Sequence, residues 1–299
     1  MGKRSGIIEM ANMAGMQSNT PGVTEIFELM KNDHCNTAGS QVVRDLYDKC
    51  SSTYEKRSGI IEMANMAGMQ SNTPGVTEIF ELMKNDHCNT AGSQVVRDLY
   101  DKCSSTYEKE TADLAFTGPN QTGIILSDHC PDRNISIVDC GAGSGLVGVQ
   151  LNTLGYRNVV GVDISQKILE IAEQKGVYKN LFCVTVGEER MPFGDNEFDA
   201  LVCCGCIAPA HISPSCFPEW VRIVRPGGSI VIVLRRCYVE LQKDEEEFYS
   251  QSLGESFEAN IRHLEDSKKW KAISKKIFSG YLTENGHAND GIGMVFEVL

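Results

Sequence analysis

The segment Ile137-Val138-Asp139-Cys140-Gly141-Ala142-Gly143-Ser144-Gly145 constrains the fold more than any other part of this 299-residue chain. A short apolar, β-rich run ends in an acid and passes directly into a turn with glycine at every second position, before a helix. Glycines at such a turn admit positive φ and let a ligand approach the backbone closely. A strand that ends this way opens a strand–helix–strand unit, so the sheet around it is expected to be parallel and covered by helices on both faces.

The chain beyond Asn134 fits that expectation. Short apolar runs near Ser136–Asp139, Asn158–Asp163, Leu181–Val186, Ala200–Cys204 and Ser229–Leu234 read as strands, with helical stretches between most of them. Ser165 is placed to cap a helix beginning near Gln166. Pro218–Val224 makes another helix, which stops before Pro226, Gly227 and Gly228. A helical stretch from about Glu255 to His263 then precedes Trp270–Phe278 and Gly293–Leu299, which read as a final hairpin.

The second strand, Val159-Val160-Gly161-Val162-Asp163, also ends in an acid, and a carboxylate there can bind both hydroxyls of a ribose. Two cofactor readings compete. Gly143-Ser144-Gly145-Leu146-Val147-Gly148 spells the dinucleotide pattern GxGxxG, with Asp163 about 20 residues on. The register separates them: the strand ends at Asp139, so the tight turn begins at Gly141, and an acid beside that turn faces a pyrophosphate unfavourably. An ammonium suits it better. S-adenosylmethionine carries an ammonium and a sulfonium and no phosphate.

The remaining constraint at the N-terminus is a verbatim duplication, in which residues 3–55 recur as 56–108 without a single difference. Stacked solenoid repeats drift in sequence and number at least three as a rule, so two perfect copies do not read as an array. Within the unit, Ile7, Met10, Met13 and Ala14 share one helical face. Thr24 can cap a second helix containing Ile26, Phe27, Leu29 and Met30. A third helix runs through Gln94, Val95, Val96, Leu99 and Tyr100 of the second copy and leads into the chain beyond Lys109. Three regions are therefore expected: a loosely packed first copy over 1–55, a second copy over 56–108 whose last helix caps the remainder, and a catalytic domain over 109–299.

Charge and cysteine usage narrow the partners. Forty acidic against 28 basic side chains leave a net charge of −12, which repels phosphate backbones and makes nucleic acid an unexpected partner. Several of the 12 cysteines sit in apolar runs such as Leu201–Ile207, as in a reducing compartment. No window approaches the roughly 18 continuous apolar residues of a membrane span. A soluble, cytoplasmic protein without membrane partners is expected.

DCGAGSG at 139–145, GVDIS at 161–165, MPFGDNEFDALVC at 191–203 and EWVRIVRPGG at 219–228 together resemble the class I S-adenosylmethionine-dependent methyltransferases. Further matches point to a methyltransferase-like branch of them: Tyr100-Asp101, Tyr107-Glu108, Gly176-Val177-Tyr178 and Ala210-His211-Ile212 with Pro214. The resemblance implies a Rossmann-like α/β fold in which the terminal hairpin completes a seven-stranded, mostly parallel sheet. It assigns Asp139, Cys140, Gly141, Ala142, Gly143 and Gly145 to the methionine moiety of S-adenosylmethionine and Asp163 to the ribose hydroxyls. Ile164 would flank the adenine, and Glu188 would contact its amino group, where the family often has Asp. Cys204 and Gly205 would line the sulfonium side, and Tyr100 and Tyr107 would close the pocket from the preceding helix. No Asn-Pro-Pro-Tyr or Asp-Pro-Pro-Tyr motif follows the fourth strand, so nothing supports an amino-directed DNA methyltransferase.

Methyl transfer from a sulfonium depends chiefly on alignment and desolvation. Where the acceptor must lose a proton, His211 is the candidate base, because imidazole titrates near neutrality. Cys203 and Cys206 form a CxxC without a second pair at finger spacing, so no metal is expected. The acidic run Asp244–Glu247 reads as a solvated helical face. The expected activity is methyl transfer from S-adenosylmethionine to a small-molecule or protein acceptor, with a non-catalytic binding module and a nicotinamide-dinucleotide enzyme as the competing readings.

Overall fold

Four residues, Ile137–Cys140, form β1 at the centre of a seven-stranded sheet. The computed structural model describes residues 92–299 apart from 188–189, 210, 241–250 and 285. All of the first repeat copy, the second copy up to residue 91, Glu188 and the run Asp244–Glu247 lie outside the described residues.

Three helices precede the sheet: α1 (Gly92–Cys103), α2 (Tyr107–Asp113) and α3 (Gly118–His129). From β1 the chain alternates through α4 (Leu146–Thr153), β2 (Val159–Asp163), α5 (Gln166–Gln174), β3 (Asn180–Cys183), β4 (Phe198–Cys204), α6 (Phe217–Ile223) and β5 (Val224–Arg235). Then α7 (Gln251–Asp266) leads into the hairpin of β6 (Trp270–Glu284) and β7 (His287–Val298). The strand order is β3-β2-β1-β4-β5-β7-β6. The first five strands run parallel, while β7 pairs antiparallel with β5 and β6 with β7.

Side-chain alternation makes two cores. Val138, Cys140, Leu201, Cys203, Ile230 and Ile232 face one side with Phe217 and Trp220 of α6 and Phe257 of α7. Their neighbours Ile137, Ala200, Val202, Val231 and Val233 face the other, with Ile125 and Leu126 of α3 and Val147 and Leu151 of α4. Strands buried on both faces have no polar side, which is why these runs read as continuously apolar. The exposed helices keep one apolar stripe, as in α5, where Ile168, Leu169 and Ala172 are buried. Ser165 caps α5 by accepting from the Ile168 backbone N at 3.2 Å, as its position implied.

Several expected boundaries move. The β5 strand begins at Val224 and runs through Pro226-Gly227-Gly228 rather than starting after them. Its pairing with β4 jumps from Phe198↔Val224 to Ala200↔Ser229, so the Pro-Gly-Gly is absorbed as an irregularity in the ladder. The hairpin strands are longer than their apolar runs: the outer strand continues past Phe278 to Glu284 and its partner begins at His287 rather than Gly293, because the pairing resumes at Leu282↔Asn289 and runs out to Glu284↔His287. The α2 helix runs across the boundary expected at residue 108. No helix among the described residues is long and apolar enough to cross a membrane.

In this topology, chain crossovers leave β1 to opposite sides at β2 and β4, which opens a crevice above the carboxyl ends of those strands, where ligands of open α/β sheets bind.

Candidate active site

The glycine turn is built by three positive-φ residues, Gly141 (φ 80°), Gly143 (φ 53°) and Gly145 (φ 91°). Its backbone is tied to β2: the N–H groups of Gly141 and Ala142 both donate to the Val162 carbonyl at 2.9 Å. The first two positions differ in what surrounds them. A Cβ on Gly141 would overlap the Cys206 Sγ, whereas a Cβ on Gly143 would meet no atom within 4 Å. Gly143 therefore opens onto free space, a cradle that a side chain would fill.

That space is a cavity of about 590 Å³. Gly141, Ala142 and Gly143 line it, as do Asp163 and Ile164 at the end of β2, Cys204 and Gly205 at the end of β4, Tyr100 and Tyr107 from α1 and α2, and His211. These residues lie far apart in sequence, and the structure brings them to one wall.

Asp163 holds the turn while facing the cavity. Its Oδ2 accepts from the Gly143 N–H at 2.9 Å and its Oδ1 from the Ser165 N–H at 3.0 Å. Burial raises its pKa, and these backbone donors partly offset the rise. Each carboxylate oxygen has a second lone pair, so the group retains capacity for hydroxyl donors.

Asp139 takes a different place. It is fully buried behind the glycine turn, beneath rather than on the cavity wall. Its Oδ2 accepts from the Tyr178 hydroxyl at 2.6 Å, and its Oδ1 has no hydrogen-bond partner. Burial pushes its pKa up to about 7 against the opposing hydrogen bond from Tyr178. Cys140 and Gly145 are likewise behind the surface, while Glu188 is outside the described residues.

His211 is fixed by the loop after β4, where its own N–H donates to the Ala208 carbonyl at 3.0 Å and Ile212 N donates to Cys206 O at 2.9 Å. Its Nδ1 is 2.9 Å from the Pro209 carbonyl and its Nε2 is 2.9 Å from the Tyr100 hydroxyl. A carbonyl can only accept, which assigns the proton to Nδ1 and makes Nε2 the acceptor from Tyr100. Burial holds the imidazole below its ordinary range, with the Pro209 carbonyl opposing the shift. Burial likewise pushes the Tyr100 phenol well above its ordinary range.

Three further contacts fasten α1 and α2 over this wall, and sequence reasoning did not find them. Ser165 Oγ, besides capping α5, donates to Asp101 Oδ1 at 2.5 Å. Arg97 Nη2 donates to Thr185 Oγ1 at 3.1 Å. Lys175 Nζ bonds both the Glu108 carboxylate and the Ser144 carbonyl of the glycine turn. Of these residues, Asp101, Glu108, Ser144 and Ser165 carried a signal in the sequence, through the motifs or the helix cap, whereas Arg97, Thr185 and Lys175 carried none.

Comparison with known proteins agrees with this geometry. A family model described as a methyltransferase domain matches residues 138–232. Human methyltransferase-like protein 27 is 28% identical over 58% of this chain and 67% of its own length. A demethylmenaquinone methyltransferase from Symbiobacterium thermophilum is 26% identical over 46% of this chain and 58% of its own. The chain thus spans about two thirds or less of these curated relatives. A solved SAM-dependent methyltransferase from Methanosarcina mazei shares 18% identity, with a TM-score of 0.42 over 58% of this chain and 97% of that one. Residues 138–232 thus match a methyltransferase domain, set in a sheet whose strand order and glycine turn between two strand-ending acids are those that the resemblance to class I S-adenosylmethionine-dependent methyltransferases implied.

Proposed function

We propose that this chain methylates a small molecule at an atom that gives up a proton, with S-adenosylmethionine as donor, and that the Tyr100–His211 pair receives that proton. The observation that carries the reading is that this pair lines the same cavity as the glycine turn and Asp163. The residues suit the donor. Gly143 offers backbone to a ligand with no side chain in the way, and Asp163 offers carboxylate lone pairs at the cavity surface. With its pKa raised to about 7, Asp139 is partly ionised near neutral pH, and that charged fraction behind the turn favours an ammonium over a phosphate. When bound, S-adenosylmethionine supplies an electrophilic methyl group on a sulfonium.

The protein groups then do three things. Asp163 and the turn hold and orient, so that alignment replaces a bimolecular encounter. The apolar lining from Val184, Ile164, Leu114 and Phe116 excludes water, which strengthens every charge interaction inside. Tyr100 Oη, already donating to His211 Nε2, passes its proton to that nitrogen as it takes one from the acceptor. A cavity of about 590 Å³ is of the size that encloses a metabolite and supports a small-molecule acceptor over a protein side chain.

Calorimetric titration with S-adenosylmethionine, S-adenosylhomocysteine and NAD tests the donor. Binding of the first two and none of NAD is expected, and preference for NAD overturns the proposal. Turnover of labelled S-adenosylmethionine against a metabolite extract tests the acceptor class.

A further inference from the structure

The outer strand of the terminal hairpin is broken where it passes the cavity. Between the pairs Phe278↔Gly291 and Leu282↔Asn289, three residues of β6 stand opposite one of β7. Gly280 turns the chain there with φ 75°. Tyr281 and Leu282 are consecutive, yet both are buried and both line the cavity. A regular strand sends consecutive side chains to opposite faces, so the bulge has re-aimed Tyr281.

The segment before α3 holds the bulge in this shape. Thr117 donates its N–H to the Tyr281 carbonyl at 2.9 Å and its hydroxyl to the Gly280 carbonyl at 2.6 Å. Phe116 packs edge-on against the Tyr281 ring, with centroids 5.1 Å apart. Gly205, which follows β4, makes room for the hydroxyl, since a Cβ there would stand 2.9 Å from Tyr281 Oη. Tyr281 is 3% exposed, and its hydroxyl has no hydrogen-bond partner among the described residues. Burial pushes the phenol well above its ordinary range, so it remains an O–H donor near neutral pH. A buried donor without an acceptor is costly, and a bulge, a threonine clamp and a glycine notch that together place one at a cavity point to a ligand atom.

In the sheet, β2 lies to one side of β4 and β6 to the other, so Tyr281 reaches Gly205 from the side opposite Asp163. We propose that the Tyr281 hydroxyl binds the methyl acceptor by donating a hydrogen bond to a neutral carbonyl oxygen, so that the substrate is a small carbonyl-bearing molecule. A carbonyl suits a lone donor, because it brings no N–H or O–H of its own to strand among Leu114, Phe116 and Leu282. One hydroxyl would leave most of a carboxylate's charge without compensation. The inference rests on the reading that the glycine turn and Asp163 hold the methyl donor.

The test is a set of matched probes. The full chain and its Tyr281→Phe variant are titrated with acetophenone, with α-methylstyrene, in which a methylene replaces the carbonyl oxygen, and with benzoate. Binding is followed by ligand-observed NMR with and without saturating S-adenosylhomocysteine. The ratio of acetophenone to α-methylstyrene affinity should fall about fivefold in Tyr281→Phe, as expected of one neutral hydrogen bond. Melting temperature and S-adenosylhomocysteine affinity should not change. In the parent, the carbonyl carbon of isotope-labelled acetophenone should keep a hydrogen-bonded chemical shift when bound.

An unchanged ratio overturns the proposal. So does a preference for benzoate over acetophenone that Tyr281→Phe removes, which would replace the carbonyl class by an anion. A bound carbonyl shift equal to that in cyclohexane overturns it however the variant folds. Loss of S-adenosylhomocysteine affinity in Tyr281→Phe at an unchanged melting temperature assigns the hydroxyl to the donor and also overturns it. A parent protein that ignores S-adenosylhomocysteine refutes the donor reading alone, because the ratio measured without it still decides the role of Tyr281.

Discussion

Tyr178 donates its hydroxyl to Asp139 Oδ2 at 2.6 Å, and the phenol oxygen of Tyr178 in turn accepts from the Gly148 backbone N–H at 3.1 Å. One phenol thereby joins the end of β1 to the first turns of α4 from behind the glycine turn. Gly148, the last glycine of the GxGxxG pattern, is glycine here because the Tyr178 ring occupies the place of its Cβ. The dinucleotide-like spacing thus has a packing cause in this chain.

The buried Asp139 should make stability depend on pH. Its folded pKa of about 7 lies above the ordinary carboxylate value near 3.8, so the folded state binds the proton more tightly than the unfolded one. The associated stability is fully present below about pH 4 and is lost as pH rises through about 7, by an upper bound of roughly 4 kcal/mol. Asp139→Asn should flatten this slope, with Asp163, also raised by burial, retaining part of it. Melting temperatures of both proteins from pH 5 to 8 check this, and parallel curves would show that Asp139 is ionised throughout.

Two alanine substitutions in one turn should fail differently. Gly141→Ala forces a methyl into Cys206 at positive φ and should destabilise the fold by about 2 to 4 kcal/mol, from overpacking and left-handed strain together. Gly143→Ala carries the strain alone, about 1 to 2 kcal/mol, and sets its methyl in the open cradle. It should melt only a few degrees lower while binding S-adenosylhomocysteine tenfold or more weakly. Denaturant unfolding alongside calorimetry separates the two effects, and a Gly143→Ala protein with unchanged affinity would remove the turn from the binding surface.

For the proton-receiving pair, Tyr100→Phe and His211→Asn should each lower turnover by on the order of 100-fold with little change in donor affinity. The working form of His211 is neutral, and burial depresses its pKa. Activity should therefore hold into mild acid and fall only below the ordinary imidazole value of about 6.5. His211→Asn should abolish that acid limb. An unaltered pH profile in the variant would leave the histidine a structural part of the loop.

What the sequence disclosed and what it hid divide along contact range. Asp139, the glycines and Asp163 were legible because strand end, turn and helix are adjacent in the chain, and their chemistry is written within a few residues. The partners that fix them were not. Tyr178 meets Asp139 across 39 positions, Asp101 meets Ser165 across 64 and Lys175 meets Glu108 across 67. No period or spacing encodes such pairs, since they follow from how α1, α2 and α5 pack. Arg235 lies one residue beyond the strand expected over Ser229–Leu234, and only the antiparallel pairing with β7 brings Asn289 beside it. Pro226-Gly227-Gly228 read as a break because local propensity predicts one, yet sheet pairing overrides it.

The last prediction concerns the duplication. Among the described residues, the second copy fastens the helical segment to the catalytic domain through Arg97 to Thr185, Tyr100 to His211, Asp101 to Ser165 and Glu108 to Lys175. The same residue types recur in the first copy as Arg44, Tyr47, Asp48 and Glu55, so both copies carry the full set of docking groups. There is one set of partners for them. The second copy runs without interruption into α2 and the rest of the domain, whereas the first must close a longer loop, and each doubling of loop length costs only about 0.6 kcal/mol. The nearer copy is therefore favoured by a modest margin, and exchange between identical sequences is slight rather than forbidden. Deleting residues 3–55 removes a competitor and leaves these four contacts of the second copy in place. The deletion variant should keep its affinity for S-adenosylhomocysteine and melt within a degree or two of the parent. Combining the deletion with Tyr100→Phe should lower turnover further than Tyr100→Phe alone, because Tyr47 can no longer substitute. A drop of several degrees on deletion, or loss of binding, would make the first copy an integral part of the fold.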